Sequence, residues 1–166
     1  MNASPLALRS IRTRDAKDYY EIFGDSEVCR YDDFSPITEE EALEDVVRIL
    51  DAYAKRDTNT ELAITQAGDD KMIGVFTVLC GRKYRYIGYH FKQTYWGRGY
   101  ATAIVRLYLA SLKPKKRALI RAKVDSRNAA SIRVLEKCGF HRGRSHLLEN
   151  HTREYVYHQS GSPKTT

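Results

Sequence analysis

Trp96-Gly97-Arg98-Gly99-Tyr100-Ala101 joins a strand-like apolar run, Tyr84 to Phe91, to a helical run from about Gly99 to Leu112 whose only charge is Arg106. Two glycines around an arginine at a strand-to-helix junction can turn several backbone N–H groups onto one anion. The N-terminus of the helix adds roughly half a positive charge at the same place. The segment therefore reads as an anion nest, and the rest of the chain must say which anion it holds.

Outward from this junction the pattern is regular. Upstream, Leu6 to Ile11 alternates as a strand, and Asp15 is placed to cap a short helix from Ala16 to about Phe23, ended by Gly24. Thr38-Glu39-Glu40-Glu41 is a capping box opening a helix to about Lys55, with Leu43, Val46, Val47, Leu50 and Ala54 as its expected buried stripe. Glu61 to Gln66, Met72 to Cys80 and Tyr84 to Phe91 form a three-strand meander with turns at Ala67–Asp70 and Gly81–Lys83. Downstream, the nearly uncharged helix should be buried on most sides. After Pro114 a strand from Ala118 to Val124 follows, then a helix capped by Asp125 or Ser126 that reaches about Lys137. Gly139 is its left-handed C-terminal residue. Strands from about Phe140 to Leu148 and Thr152 to His158 close the chain. The order βααβββαβαββ, with one strand–helix–strand crossover after an antiparallel meander, implies an α/β fold with a mixed, mostly antiparallel sheet and helices on both faces. One domain over residues 1–158 and a small polar, disordered tail over 159–166 are expected.

With 166 residues and 42% hydrophobic content the chain can bury a real core, while no apolar run is long enough for a membrane span and the N-terminus does not read as a signal peptide. Cys29, Cys80 and Cys138 lack metal-ligand spacing, so reduced thiols, no metal site and a cytoplasmic location are expected. The net charge of +7 favours an anionic partner, and its distribution is bipolar. From Glu21 to Asp51 there are eleven acids against Arg30 and Arg48; from Leu112 to Ser145 there are eleven Lys/Arg against Asp125 and Glu136. The C-terminal half is suited to an anion and the N-terminal half to a cation.

Two nucleotide sites are excluded by pattern. No Gly-Lys-Ser or Gly-Lys-Thr occurs, so there is no nucleotide P-loop. Counting from Gly97, the dinucleotide pattern would need Gly or Ala where Thr102 stands. The pyrophosphate of coenzyme A is a third candidate. Here the chain resembles the GNAT superfamily of N-acetyltransferases, whose signature [Q/R]-x-x-G-x-[G/A] follows the fourth strand. Gly99 and Ala101 match it, and Trp96 replaces the usual Gln or Arg. Ile87-Gly88-Tyr89, the Tyr95–Thr102 junction, and Asn128-Ala129-Ala130-Ser131 followed by Val134 to Phe140 are similar to the branch that holds the ribosomal-protein serine and alanine N-acetyltransferases. The resemblance spans about residues 6–158.

It implies direct acetyl transfer from acetyl-CoA to a primary amine, either of a cationic small molecule or of a protein N-terminus. The backbone of Trp96, Gly97, Arg98, Gly99, Tyr100, Ala101 and Thr102 would hold the pyrophosphate, and the basic stretch from Lys113 to Arg144 the ribose phosphate. A backbone N–H near Tyr89 or Phe91 would polarise the thioester carbonyl. Many relatives place a glutamate where Tyr86 stands, and an unperturbed tyrosine is a poor base at neutral pH. His90, on the same strand face as Tyr86 and Gly88, is the available base, with Glu61 and Asp32 as alternatives. The tyrosine that many relatives use as acid is replaced by Leu135, and Ser131, one turn earlier, is the expected catalytic proton donor or hydrogen-bond partner of the leaving thiolate. The alternative is that Ser131, with Asn128, only orients the pantetheine arm. Cys138 reads as buried packing. Asp32 and Tyr86 are the expected acceptor-binding residues, within an acidic wall that includes Glu27, Asp33 and Glu39–Glu41. Two rival readings remain: an acyl-CoA sensor without turnover, and a basic nucleic-acid-binding domain, against which few aromatics interleave the basic run. Monomer and homodimer are both open.

Overall fold

Alternating strands place one set of apolar side chains on each side of a sheet, and two separate helical layers cover them. The computed structural model describes residues 5–143 and 151–157. Seven strands form one sheet: β1 (Leu6–Ser10), β2 (Thr60–Gln66), β3 (Gly74–Cys80), β4 (Arg85–Phe91), β5 (Ile120–Asp125), β6 (Phe140–Arg142) and β7 (Thr152–Tyr157), in the order β1-β2-β3-β4-β5-β7-β6. Every pairing is antiparallel except β4 with β5. This is the mixed sheet expected from the element order.

Helices α1 (Ala16–Phe23) and α2 (Glu39–Ala54) cover one face, packing Ile22, Phe23, Val46 and Ile49 on Ala63 and Val75. On the other face lie α3 (Tyr100–Ser111) and α5 (Ala129–Lys137), which pack Ile104, Val105, Leu109 and Leu135 on Ile64, Phe76, Val78, Ile87 and Phe91. The period-two alternation of β2, β3 and β4 sends neighbours such as Ala63 and Ile64, or Val75 and Phe76, to opposite layers. Lys92 is buried at the end of β4 and ties it to α1 through Asp18 at 2.5 Å and Glu21 at 2.6 Å.

Several expected details are corrected. The buried stripe of α2 is Ala42, Val46 and Ile49; Leu43 and Val47 are exposed, because the helix turns its small Ala42 toward α1 and not the larger residue beside it. Helix α3 buries only Tyr100, Ile104, Val105 and Leu109, since the sheet covers one side and Arg106 and Leu107 face outward. Pro114 does not simply end that region but starts a single turn, α4 (Pro114–Arg117), because its fixed φ suits a first helical position. Asp15 stands at the N-cap position of α1 but its carboxylate makes no capping bond to that helix; it closes the 3-10 turn Thr13–Asp15 instead. It is buried beside Arg9, whose guanidinium donates to it at 2.7 and 2.9 Å, and it accepts the Arg12 N–H. Helix α5 is capped by Asn128, whose Oδ1 accepts the Ser131 N–H at 3.1 Å, while Asp125 holds Arg127 instead. Thr38 and Glu41 make the expected capping box. The strand expected to run to Leu148 is described only to Arg142; residues 144–148, His158 and the tail lie outside the described residues.

Candidate active site

Parallel strands β4 and β5 are paired at only two positions, Arg85↔Ile120 and Tyr86↔Arg121, and then separate. The direction of the freed amides follows from those that are bonded. Arg85 donates its N–H toward β5, to Leu119 O at 3.0 Å, and Lys92 donates toward β3, to Ile73 O at 3.1 Å. Alternation along the strand therefore turns the N–H groups of Tyr89 and Phe91 into the gap. The Trp96 indole N–H closes the far end by donating to Phe91 O at 2.9 Å.

The gap opens into a cleft of about 760 Å³ between β4, β5 and the starts of α3 and α5. Gly97 and Gly99 have φ of +71° and +77°, and a Cβ added to either would meet nothing within 4 Å. Left-handed backbone is what requires glycine here. The amides of Gly97, Arg98, Gly99, Tyr100, Ala101 and Thr102 donate to no other group among the described residues. They form the nest at the helix N-terminus that a pyrophosphate fits. From α5, Arg133 and Lys137 line the same cleft, one turn apart and free of ion pairs among the described residues. The rest of the basic run divides: Lys113, Lys115 and Lys116 lie around α4, away from it.

A second cleft, of about 610 Å³, lies on the opposite face of β4, under α1, α2 and the loop between them. Both clefts are lined by Asp32, Ile87, Gly88, His90 and Lys123, so they meet at the middle of β4. Gly88 leaves that junction open: the nearest atom to an added Cβ would be Thr77 Cβ, 3.9 Å away. Beside it, His90 Nε2 stands 3.0 Å from Asp32 Oδ2, while His90 Nδ1 is buried with no partner among the described residues. The Phe23 ring packs on the imidazole with centroids 5.0 Å apart.

Each expected site residue can be placed. Ser131 and Asn128 lie at the start of α5 in the first cleft. The Tyr89 phenol reaches the same turn, 3.5 Å from Ser131 O, and burial pushes its pKa up to about 12. Tyr86 lines the second cleft; its hydroxyl donates to Glu154 at 2.9 Å, and its ring lies under Lys123 Nζ at 4.8 Å. Burial and Glu154 both raise the Tyr86 pKa, which keeps the phenol protonated and so even less able to accept a proton. Glu61 lines the second cleft but accepts from Tyr19 at 2.9 Å and Arg48 at 3.4 Å. Leu135 and Cys138 are core residues. The acidic wall is narrower than expected. Asp32 and Asp33 face the second cleft, but Glu27 lines the first, and Glu39–Glu41 sit at the α2 N-terminus, where Glu41 completes the cap. Asp45, Arg48, Phe34 and Leu79 line the second cleft without having been expected there. Among the described residues no group of three or more His, Cys, Asp and Glu could hold a metal ion, and no helix is long and apolar enough to cross a membrane.

The same region of sequence matches a known family. The model for the acetyltransferase (GNAT) domain covers residues 6–141. The chain belongs to the GNAT acetyltransferases. A Bacillus subtilis (strain 168) protein described as "Probable N-acetyltransferase YjcK" is 30% identical over 131 residues, 76% of this chain and 69% of that protein. The solved structure of a GNAT-family acetyltransferase from Bacillus anthracis has a TM-score of 0.74 at 23% identity, covering 93% of this chain and 95% of that one. A spermidine N-acetyltransferase from Vibrio cholerae, solved in complex with CoA and spermine, has a TM-score of 0.72 at 16% identity, covering 92% and 95%. This GNAT protein is thus an acetyl-CoA-dependent acyltransferase.

Proposed function

We propose that this GNAT protein moves the acetyl group of acetyl-CoA directly to the primary amine of a cationic acceptor. The observation that carries the reading is the meeting of two clefts at Gly88, one with a free amide nest and two free cations, the other with carboxylates. A donor and an acceptor entering from opposite faces of β4 would face each other there. Kinship of fold with a spermidine N-acetyltransferase is consistent with a cationic acceptor.

The roles follow from chemistry. The amides of Gly97 to Thr102 take the pyrophosphate, and Arg133 and Lys137 the remaining phosphate. The N–H groups of Tyr89 and Phe91 face the carbonyl oxygen, whose negative charge grows as the amine attacks. Asp32 holds the incoming ammonium next to His90. His90 takes one proton from the ammonium, which frees the nitrogen lone pair, and becomes imidazolium beside the Asp32 carboxylate; as the C–N bond then forms and the C–S bond breaks, the attacking nitrogen releases its second proton to water. Ser131 donates a hydrogen bond to the leaving thiolate. A hydroxyl is too weak an acid to give up its proton outright, so the thiolate takes one from water.

The test is thiol release from acetyl-CoA with a panel of amines, with the acetylated product identified by mass. Turnover with cationic amines and a kcat loss of about ten-fold in Ser131→Ala at unchanged acetyl-CoA KM are expected. Full kcat in that variant would remove Ser131 from the chemistry.

A further inference from the structure

The two ends of the second cleft differ in what they have left to offer a ligand. At the junction end, Asp32 is shared with His90, and the exposed Asp33 carboxylate has no partner among the described residues. At the far end the charges are already engaged with one another: Arg48 donates to Asp45 at 3.0 Å and to Glu61 at 3.4 Å, and the Tyr19 hydroxyl donates to Glu61 at 2.9 Å. Between the ends the wall is apolar. The rings of His90, Phe23 and Phe34 follow one another at centroid distances of 5.0 and 6.0 Å, from the Asp32 pair outward to the rim. Phe34 is 43% exposed and Leu79, also lining this cleft, 51% exposed. Large apolar side chains left in water on the walls of a concave site signal a ligand surface that covers them.

We propose that the acceptor is a small monoamine with an aromatic ring, its ammonium at Asp32 and Asp33 and its ring along Phe23, Phe34 and Leu79. The inference rests on the acetyl-transfer reading above and narrows it to an arylalkylamine. Aromatic rings stacked at an offset or edge to face satisfy both this wall and such a ligand. A linear polyamine is the poorer fit. Its further ammonium groups would lie against the rings, giving up water with no free carboxylate opposite them, because Asp45 and Glu61 already face Arg48.

Steady-state thiol release from acetyl-CoA would be measured with 2-phenylethylamine, n-butylamine, spermidine and a tripeptide with a free N-terminus. The expected order puts phenylethylamine first, with kcat/KM about ten-fold above butylamine. Phe34→Ala, at an exposed position, is expected to lower kcat/KM for phenylethylamine about ten-fold and for butylamine less than two-fold; Leu79→Ser should act in the same direction. Equal falls for both amines, a phenylethylamine-to-butylamine ratio near one, or spermidine or the tripeptide outrunning phenylethylamine would overturn this proposal and leave acetyl transfer standing. Acetyl-CoA binding in calorimetry, with no thiol release for any amine, would overturn the acetyl-transfer reading and this inference together.

Discussion

At the scale of single residues the proposed chemistry converges on the pair of Asp32 and His90, held 3.0 Å apart where the two clefts meet. Its two members should fail differently. Asp32→Asn is expected to raise KM for a cationic amine about ten-fold while leaving KM for acetyl-CoA in place, because it removes the charge that faces the ammonium. His90→Gln is expected to lower kcat by about a hundred-fold, the low end of what a proton-accepting side chain contributes. Steady-state kinetics with each substrate varied in turn separates the two. The sequence marked both residues as candidates but not as a pair, because 58 positions separate them and only the α1–α2 loop brings Asp32 over β4. Asp125, on the wall of the first cleft, offers a pH test of stability. Hydrogen bonds from Arg127 hold its carboxyl down at about 2, against an unfolded value of about 3.9. A depressed carboxylate contributes stability that is complete above the unfolded pKa and is lost as pH falls toward the folded one. Urea midpoints should therefore drop between pH 5 and pH 2.5 more steeply in the native protein than in Asp125→Asn.

At the scale of elements, the turn between β4 and α3 carries the strictest demand on sequence. Gly99 is the N-terminal cap of α3 at φ +77°, and Gly97 precedes it at +71°. Gly99→Ala should cost about 1 kcal/mol in unfolding free energy, the usual penalty of a left-handed alanine. It should also weaken acetyl-CoA binding several-fold in calorimetry, because its methyl group projects into the open space before the amide nest. This turn was legible in the sequence because a left-handed position admits few residue types. The same rule made Gly139, at φ +88°, readable as the end of α5. Helix faces were less legible. In α2 the apolar positions Leu43 and Val47 fit a helical period as well as Ala42, Val46 and Ile49 do, and only the contact with α1 chooses between the two stripes. The cap of α5 was displaced for a similar reason. Asp125, Ser126 and Asn128 all suit a cap, and Arg127 claims Asp125. The second cleft was the least legible part, since Phe34, Asp45, Glu61 and Leu79 come from four separate segments and share no local pattern.

At the scale of the whole molecule, the bipolar charge of the sequence becomes a division between two entrances. Arg133 and Lys137 stand at one and Asp33 at the other, with Asp32 where the two meet. Raising ionic strength from 50 to 500 mM should therefore raise KM for acetyl-CoA and KM for a cationic amine, while leaving a neutral competitor's affinity in place, because screening acts on both entrances. The two-position ladder between β4 and β5 has a consequence for folding as well. It is the shortest ladder of the sheet among the described residues, joining strands β1 to β4 with strands β5 to β7. Backbone amides on the β5–β7 side should exchange with solvent through a partial opening that costs less than global unfolding. Acetyl-CoA, lying across the parted strands, would act as the missing rung. Saturating it should slow exchange in β5 and β7 more than in β2, so that the donor substrate splices two cooperative units into one.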